Sequence, residues 1–231
     1  MIKAVILDID NTLYDYDAAH AAAFRSLTEY AAEHFGIAPE AFEALHREAY
    51  RIQRERCIIP CAAVHNRIIR CQIILEMLGR PFLPAREMDA LYWETLMNHM
   101  CPYPGTLEGL ERLKALGLTV GVGTNMTADR QFDKLIRLGL GSYIDFMVTS
   151  EEVNAEKPDA RLFRACAEKA GCEASDCVFV GDSLRGDVQG ALNAGMKAVW
   201  FCPADKTDYA PRIASLTQLC DLLSSLDHPG A

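Results

Sequence analysis

The sequence predicts an α/β fold: a mostly parallel sheet interrupted, after its first strand, by an inserted bundle of helices. Three observations predict it. Apolar runs of strand length at 4–7, 119–122, 144–149, 177–180 and 198–201 alternate, in the second half of the chain, with stretches of helical period. Residues 17–100 break that alternation and read as four consecutive helices with short connections. Residues able to do chemistry gather where the strand runs end, and in an open α/β sheet ligands bind outside the carboxyl ends of the strands.

The 231 residues suffice for one large domain or one domain carrying an insertion, and 50% of them are hydrophobic, enough for a sizeable core. A formal net charge of −9 argues against nucleic acid or an anionic membrane as partner. It leaves a phosphorylated small molecule open, because a bound cation and local bases reverse the field inside one cleft. No stretch reaches the length of a membrane span. The first residues run straight into a strand, so no signal peptide is expected. Nine scattered cysteines, an odd number, fit reduced thiols of a cytosolic protein better than a disulfide framework. Monomer and dimer are both open.

Ala4 to Leu7 is short, apolar and rich in β-branched residues, as a strand buried on both faces should be. It delivers Asp8 and Asp10, followed by Asn11, Thr12 and Leu13. Two acids one residue apart repel each other unless a cation sits between them. A hard cation with oxygen ligands, most simply Mg²⁺, fits. By themselves the two acids read equally well as a solvated strand end.

Asp17 is expected to cap a helix over 18–34 that Gly36 closes. Pro39 opens a second helix to about Arg56. After Pro60 a third is expected from about Ala62 to Leu78, with Ile68, Ile69, Ile73, Leu75 and Leu78 as its apolar positions. A fourth covers about Ala85 to His99. From 47 to 70, Arg47, Arg51, Arg54, Arg56, Arg67 and Arg70 stand against Glu48 and Glu55. That stretch reads either as a solvated helix face or as a basic patch that helps hold an anionic substrate. Cys57, Cys61, His65 and Cys71 match no common zinc spacing and read as buried thiols.

The turn cluster Cys101-Pro102-Tyr103-Pro104-Gly105 returns the chain to the sheet. Thr106 is expected to cap a helix with Leu107, Leu110, Leu113 and Leu116 on one face. The next strand ends at Gly123-Thr124-Asn125, where Thr124 and Asn125 serve either as phosphate contacts or as the cap of a helix over 128–138. Lys157, directly before Pro158, sits on an extended stretch ahead of a helix beginning near Asp159. The strand 177–180 ends at Gly181-Asp182-Ser183-Leu184-Arg185-Gly186-Asp187, and a helix from Val188 to Ala194 precedes the fifth strand.

In this order Asp8-Ile9-Asp10-Asn11-Thr12-Leu13, Thr124-Asn125, Lys157-Pro158 and Gly181-Asp182-Ser183 through Asp187 resemble the four motifs of the haloacid dehalogenase-like hydrolase superfamily. The resemblance covers all but the last few residues. It departs at Gly123, where a larger apolar residue is common, and at Met126, where a small one is frequent. It implies a Rossmann-like core domain over 1–16 and 101–231, with a four-helix cap of the first type over 17–100 that closes on the cleft. It also implies an Mg²⁺-dependent phosphatase acting on a nucleoside monophosphate or a sugar phosphate.

The roles implied are these. Asp8 is the nucleophile that forms an aspartyl-phosphate. Asp10 protonates the leaving group and then activates water. Mg²⁺ takes the Asp8 carboxylate, the Asp10 backbone carbonyl and Asp182. Asp187 orients Lys157 or a metal-bound water. Thr124, Asn125 and Lys157 hold the phosphoryl group, with Thr124 and Lys157 taking part in catalysis. A haloacid dehalogenase needs no acid at the position of Asp10, so Asp10 favours phosphatase, with phosphomutase as a further alternative. Outside the family, a phospho-receiver places its acceptor on a middle strand without an inserted bundle. A metal-binding interaction protein without turnover would not need Asp8, Asp10, Lys157 and Asp182 together.

Overall fold

The computed structural model describes residues 1–203 and 211–227. They form two compact units, Met1–Asp15 with the chain from Cys101 onward, and Tyr16–Met100.

In the first unit β1 (Ala4–Leu7) is buried at every position. The second unit is helical: α1 (Tyr16–Phe35), α2 (Pro39–Arg56), α3 (Arg67–Met77) and α4 (Ala85–His99), with α1 packed on α4 and α2 on α3. The third helix is shorter than the pattern predicts. A 3₁₀ turn occupies Ala62–His65, and Asn66 interrupts the winding because its side chain caps the new helix by accepting from the Ile69 amide. That start sets the buried face of α3: Ile73, Ile74 and Leu75 point inward together with Arg67 and Arg70, while Ile69 is exposed.

The first unit then continues with α5 (Thr106–Ala115), β2 (Thr119–Thr124), α6 (Ala128–Arg137), β3 (Phe146–Thr149), α7 (Ser150–Val153), α8 (Ala160–Ala170), β4 (Cys177–Gly181), α9 (Gly190–Asn193), β5 (Lys197–Phe201), β6 (Arg212–Ile213) and α10 (Leu219–Asp227). The N-cap of α5 is Gly105, in the left-handed region at φ 84°, rather than Thr106, which is the first helical residue. Of the four leucines expected on one face, Leu110 and Leu113 are buried and Leu107 and Leu116 are exposed.

The six strands pair in the order β3-β2-β1-β4-β5-β6, every pair parallel. β6 is two residues long, too short for a periodic signal. With β1 central, Leu7 lies opposite Val122 on one side and Val180 on the other. The carboxyl ends of β1, β2 and β4 are therefore level, and the order reverses at β1, where a crevice for a ligand is expected. One side of the core is built from Ile6, Val148, Leu162, Phe163 and Phe179.

Candidate active site

The backbone of β1 runs past its last strand residue, and the Asp8 amide donates to the Val180 carbonyl at 2.9 Å. This holds Asp8 beside the end of β4, where Asp182 follows Gly181. Asp187 is brought to the same place by an unexpected turn. Helical winding begins at Leu184, before the expected Val188, and it is π-type over Leu184–Gln189. The amides of Asp187 and Val188 both donate to the Ser183 carbonyl, at 2.8 and 3.2 Å. Such wide turns recur at functional sites. The turn folds Asp187 back over Gly181, where an added Cβ would lie 2.3 Å from the Asp187 carboxyl carbon. Glycine is required there by close approach. The Ser183 amide secures the acid by donating to Asp187 Oδ2 at 2.9 Å.

Carboxylate oxygens of Asp8, Asp182 and Asp187 all lie within 4.8 Å of one another. Lys157 is the cation among them: its ammonium is 2.7 Å from Asp8 Oδ1 and 2.7 Å from Asp187 Oδ1. Burial alone would lower the Lys157 pKa, but Asp187 and Asp8 outweigh it and raise it, so the side chain stays charged. One ammonium against three carboxylates leaves negative charge uncompensated. Burial, with the neighbouring acids, pushes the Asp8 carboxyl up to about 6 and Asp182 up to about 7. An oxygen-only set with that excess charge fits a hard divalent cation such as Mg²⁺. Among the described residues, the carboxylates of Asp8, Asp182 and Asp187 form a group able to hold one.

Asp10 turns away from this cluster. Its carboxylate takes the Lys134 ammonium on both oxygens, at 2.7 and 2.8 Å, and the Tyr14 hydroxyl at 2.6 Å. Burial would raise the Asp10 pKa, but the Lys134 ammonium outweighs it and holds the carboxyl below its ordinary value. Sequence reasoning missed Lys134 and its helical neighbour Gln131. The available signal is their register: Gln131, Lys134, Leu135 and Leu138 share one face of the helical stretch, and all four are buried, whereas Phe132 and Ile136 are exposed.

Thr124 ends β2 and is buried; its hydroxyl accepts from Gln131 Nε2 at 2.7 Å. Asn125 accepts the Lys157 amide on Oδ1 at 2.9 Å, and the Lys157 ammonium also donates to the Gly123 carbonyl at 3.3 Å. The Thr124 loop and the lysine loop are thereby tied together. The unusual Gly123 has a packing cause, since a Cβ there would meet Phe179 at 2.8 Å and the Cys166 sulfur at 2.9 Å. Met126 is held at φ 120°, a conformation that favours glycine, with its amide on Ser150 Oγ at 2.8 Å.

In the helical unit the basic stretch divides. Arg51 is exposed and paired with Glu48 and Glu55, as a solvated face requires. Arg67 and Arg70 are 7% and 4% exposed. Arg67 donates to the Tyr16 hydroxyl at 2.9 Å and lies over the Tyr92 ring; Arg70 donates to Gln53 Oε1 at 3.0 Å and to the Val64 carbonyl at 2.8 Å. Neither meets a carboxylate among the described residues. Cys57, Cys61, His65 and Cys71 form no metal-holding group among the described residues, and all nine cysteines are free. No helix among the described residues is long and apolar enough to cross a membrane.

Residues 2–195 match the model of a hydrolase family described as haloacid dehalogenase-like hydrolase. A ribulose-1,5-bisphosphate 5-phosphatase from Halopiger xanaduensis is 35% identical over 90% of this chain and 88% of its own. A glyceraldehyde 3-phosphate phosphatase from Methanopyrus kandleri is 32% identical over 92% and 89%. Among solved structures, a 2-haloacid dehalogenase from Pseudomonas syringae pv. tomato superposes with a TM-score of 0.76 at 29% identity, over 97% of this chain and 99% of that one.

Proposed function

The chain belongs to the haloacid dehalogenase-like hydrolase family and is a phosphatase of it, and from that premise we propose an Mg²⁺-dependent phosphatase that hydrolyses a small phosphorylated metabolite through an aspartyl-phosphate on Asp8. The carrying observation is the buried cluster of Asp8, Asp182 and Asp187 around a single lysine. Sugar phosphates are the substrate class favoured over nucleoside monophosphates, because the two phosphatase relatives are named for sugar phosphates.

Each residue then has a task. Asp8 attacks phosphorus, and the bond to the ester oxygen breaks. Lys157, charged and 2.7 Å from Asp8, draws the phosphoryl oxygens in and offsets their repulsion with the nucleophile. The Thr124 hydroxyl and Asn125 complete the phosphoryl cradle. Asp10 delivers a proton to the leaving oxygen, then takes one from the water that attacks the aspartyl-phosphate. Asp8, Asp182 and the Asp10 backbone carbonyl are assigned to Mg²⁺, with Asp187 steadying Lys157. The bound ion supplies charge neutralisation for the phosphoryl group. The second unit, Tyr16–Met100, is assigned the choice of substrate.

An acid at the position of Asp10 favours this reading over dehalogenation, despite the haloacid dehalogenase among the fold neighbours. The test is phosphate release over a panel of sugar mono- and bisphosphates, nucleoside monophosphates and 2-haloacids. Turnover of at least one sugar phosphate is expected, abolished by EDTA and restored by Mg²⁺. Halide release without phosphate release, or full activity in chelator, would sink the proposal.

Metal binding should also couple to pH. Without a cation, Asp182 near 7 and Asp8 near 6 hold protons in the folded state that the unfolded chain has released, so metal-free stability falls as pH rises from about 4 to about 7. A cation displaces those protons. The rise in Tm on adding saturating Mg²⁺ is therefore expected to be larger at pH 8 than at pH 5. Thermal melts at the two pH values check this, and an equal rise at both contradicts the assignment of these acids to the metal.

A further inference from the structure

We propose that Lys134 is a positioning residue for Asp10: its ammonium fixes the carboxylate in the orientation from which that acid serves the leaving group and the attacking water. The inference rests on the reading of Asp10 as the proton-transferring acid.

Lys134 comes from the middle of α6 and from none of the strand-end loops, yet its side chain is completely buried. Burying an ammonium is costly unless the charge is paired and hydrogen-bonded. Here the pairing is with Asp10, 124 residues away in sequence, through both oxygens at 2.7 and 2.8 Å. Met126 Sδ lies 3.6 Å from the same nitrogen. The Tyr14 hydroxyl adds a bond to Asp10 Oδ1 at 2.6 Å. Three hydrogen bonds on two oxygens stop the carboxylate from turning about its Cβ–Cγ bond. Gln131, one turn before Lys134 on the same helix, adds to the hold on this carboxylate. The same helix steadies a second part of the site one turn earlier, where Gln131 Nε2 donates to Thr124 Oγ1 at 2.7 Å and to the Asn125 carbonyl at 2.9 Å. α6 thus braces both the first-strand loop and the second-strand loop from behind.

A lysine that merely fills space and neutralises charge would affect every substrate alike. A lysine that acts through Asp10 affects only the steps in which Asp10 moves a proton. When phosphorus passes to Asp8, the bond to the ester oxygen breaks and Asp10, ionised beforehand by its Lys134 pair, hands that oxygen a proton taken up from the monoanionic phosphate ester. An alkoxide leaving group needs that proton, whereas p-nitrophenolate leaves without it. kcat/KM reports the steps through formation of the phosphoenzyme, so it isolates proton delivery from later hydrolysis.

The experiment compares Lys134→Met, Asp10→Asn and the double variant in the full-length, Mg²⁺-loaded protein, on the best sugar phosphate of the panel and on p-nitrophenyl phosphate. Asp10→Asn should lower kcat/KM for the sugar phosphate by about 10²-fold or more and for p-nitrophenyl phosphate by under about threefold. Lys134→Met should show the same asymmetry at about tenfold or more, and the double variant should be no worse than Asp10→Asn within about twofold, because the two act as one unit. Lys134→Gln, which keeps a donor toward Asp10, should fall between Lys134→Met and the unmodified protein, and it decides by the same comparison if Lys134→Met does not fold. Equal losses on both esters, no loss, or losses that add fully in the double variant overturn the role of Lys134 alone when Asp10→Asn retains its asymmetry. Asp10→Asn without asymmetry overturns the reading of Asp10, and the inference falls with it.

Discussion

Asp8→Asn should abolish turnover, by about 10⁴-fold or more, because the amide is not a nucleophile and no aspartyl-phosphate forms. The protein should nevertheless stay folded. Asp8 is one of three acids within 4.8 Å, and burial together with its neighbours already pushes its carboxyl up to about 6. Removing its charge relieves repulsion from Asp187 and Asp182, while Lys157 keeps its 2.7 Å contact with Asp187. Metal-free Asp8→Asn is therefore expected to melt at the same temperature as the unmodified chain or higher. Two measurements check this: phosphate release with the panel substrate, and covalent phosphate retained on protein quenched during turnover. Retained activity means that the nucleophile lies elsewhere. Lost activity together with a lowered melting temperature means that the loss is structural.

Lys157→Met should have the second largest effect, and here activity and stability should fall together. Among the described residues the lysine is the one ammonium placed between Asp8 and Asp187, and both acids are buried. Taking one partner from a buried ion pair typically costs about 3–5 kcal/mol, because the remaining charges are left unpaired in a poor solvent. Some of that is recovered when an acid binds a proton, so the loss should shrink as pH is lowered toward 5. Mg²⁺ should recover stability as well, since it supplies positive charge to the same carboxylates. It should not recover the rate, because the contact with the phosphoryl oxygens is gone; a loss of about 10²–10³-fold is expected for one such electrostatic contact. Urea unfolding and kcat with and without Mg²⁺ read both effects. Unchanged stability, or a rate restored by Mg²⁺, would contradict the assignment of Lys157.

The strands and the acids were readable because both follow local rules. Ala4–Leu7 and Cys177–Gly181 are apolar runs bounded by chemistry, and a buried parallel strand has that form. β6 was not readable, since two residues carry no period. Asp187 was readable as a motif residue, but the π-type turn that carries it over Gly181 depends on two amides sharing the Ser183 carbonyl. Arg67 and Arg70 show why a charge count misleads. Counting gives a basic stretch, but the helix start at Asn66 turns these two inward, whereas Arg51, on α2, lies outside with Glu48 and Glu55.

The sequence by itself determined the order of the first five strands and of the long helices between them, the interruption after the first strand, and the placement of acids at the ends of β1 and β4. Each follows from a pattern within a few residues, set by side-chain period and turn chemistry. Only the tertiary structure decided which cation meets which acid. Lys157 reaches Asp8 and Asp187, whereas Asp10, two residues from Asp8, is held by Lys134 of α6. The reason is physical: once the sheet places β1 between β2 and β4, successive acids leaving β1 point to different neighbours, and a buried charge takes the partner that the packing brings within 3 Å, however far away it lies in the chain.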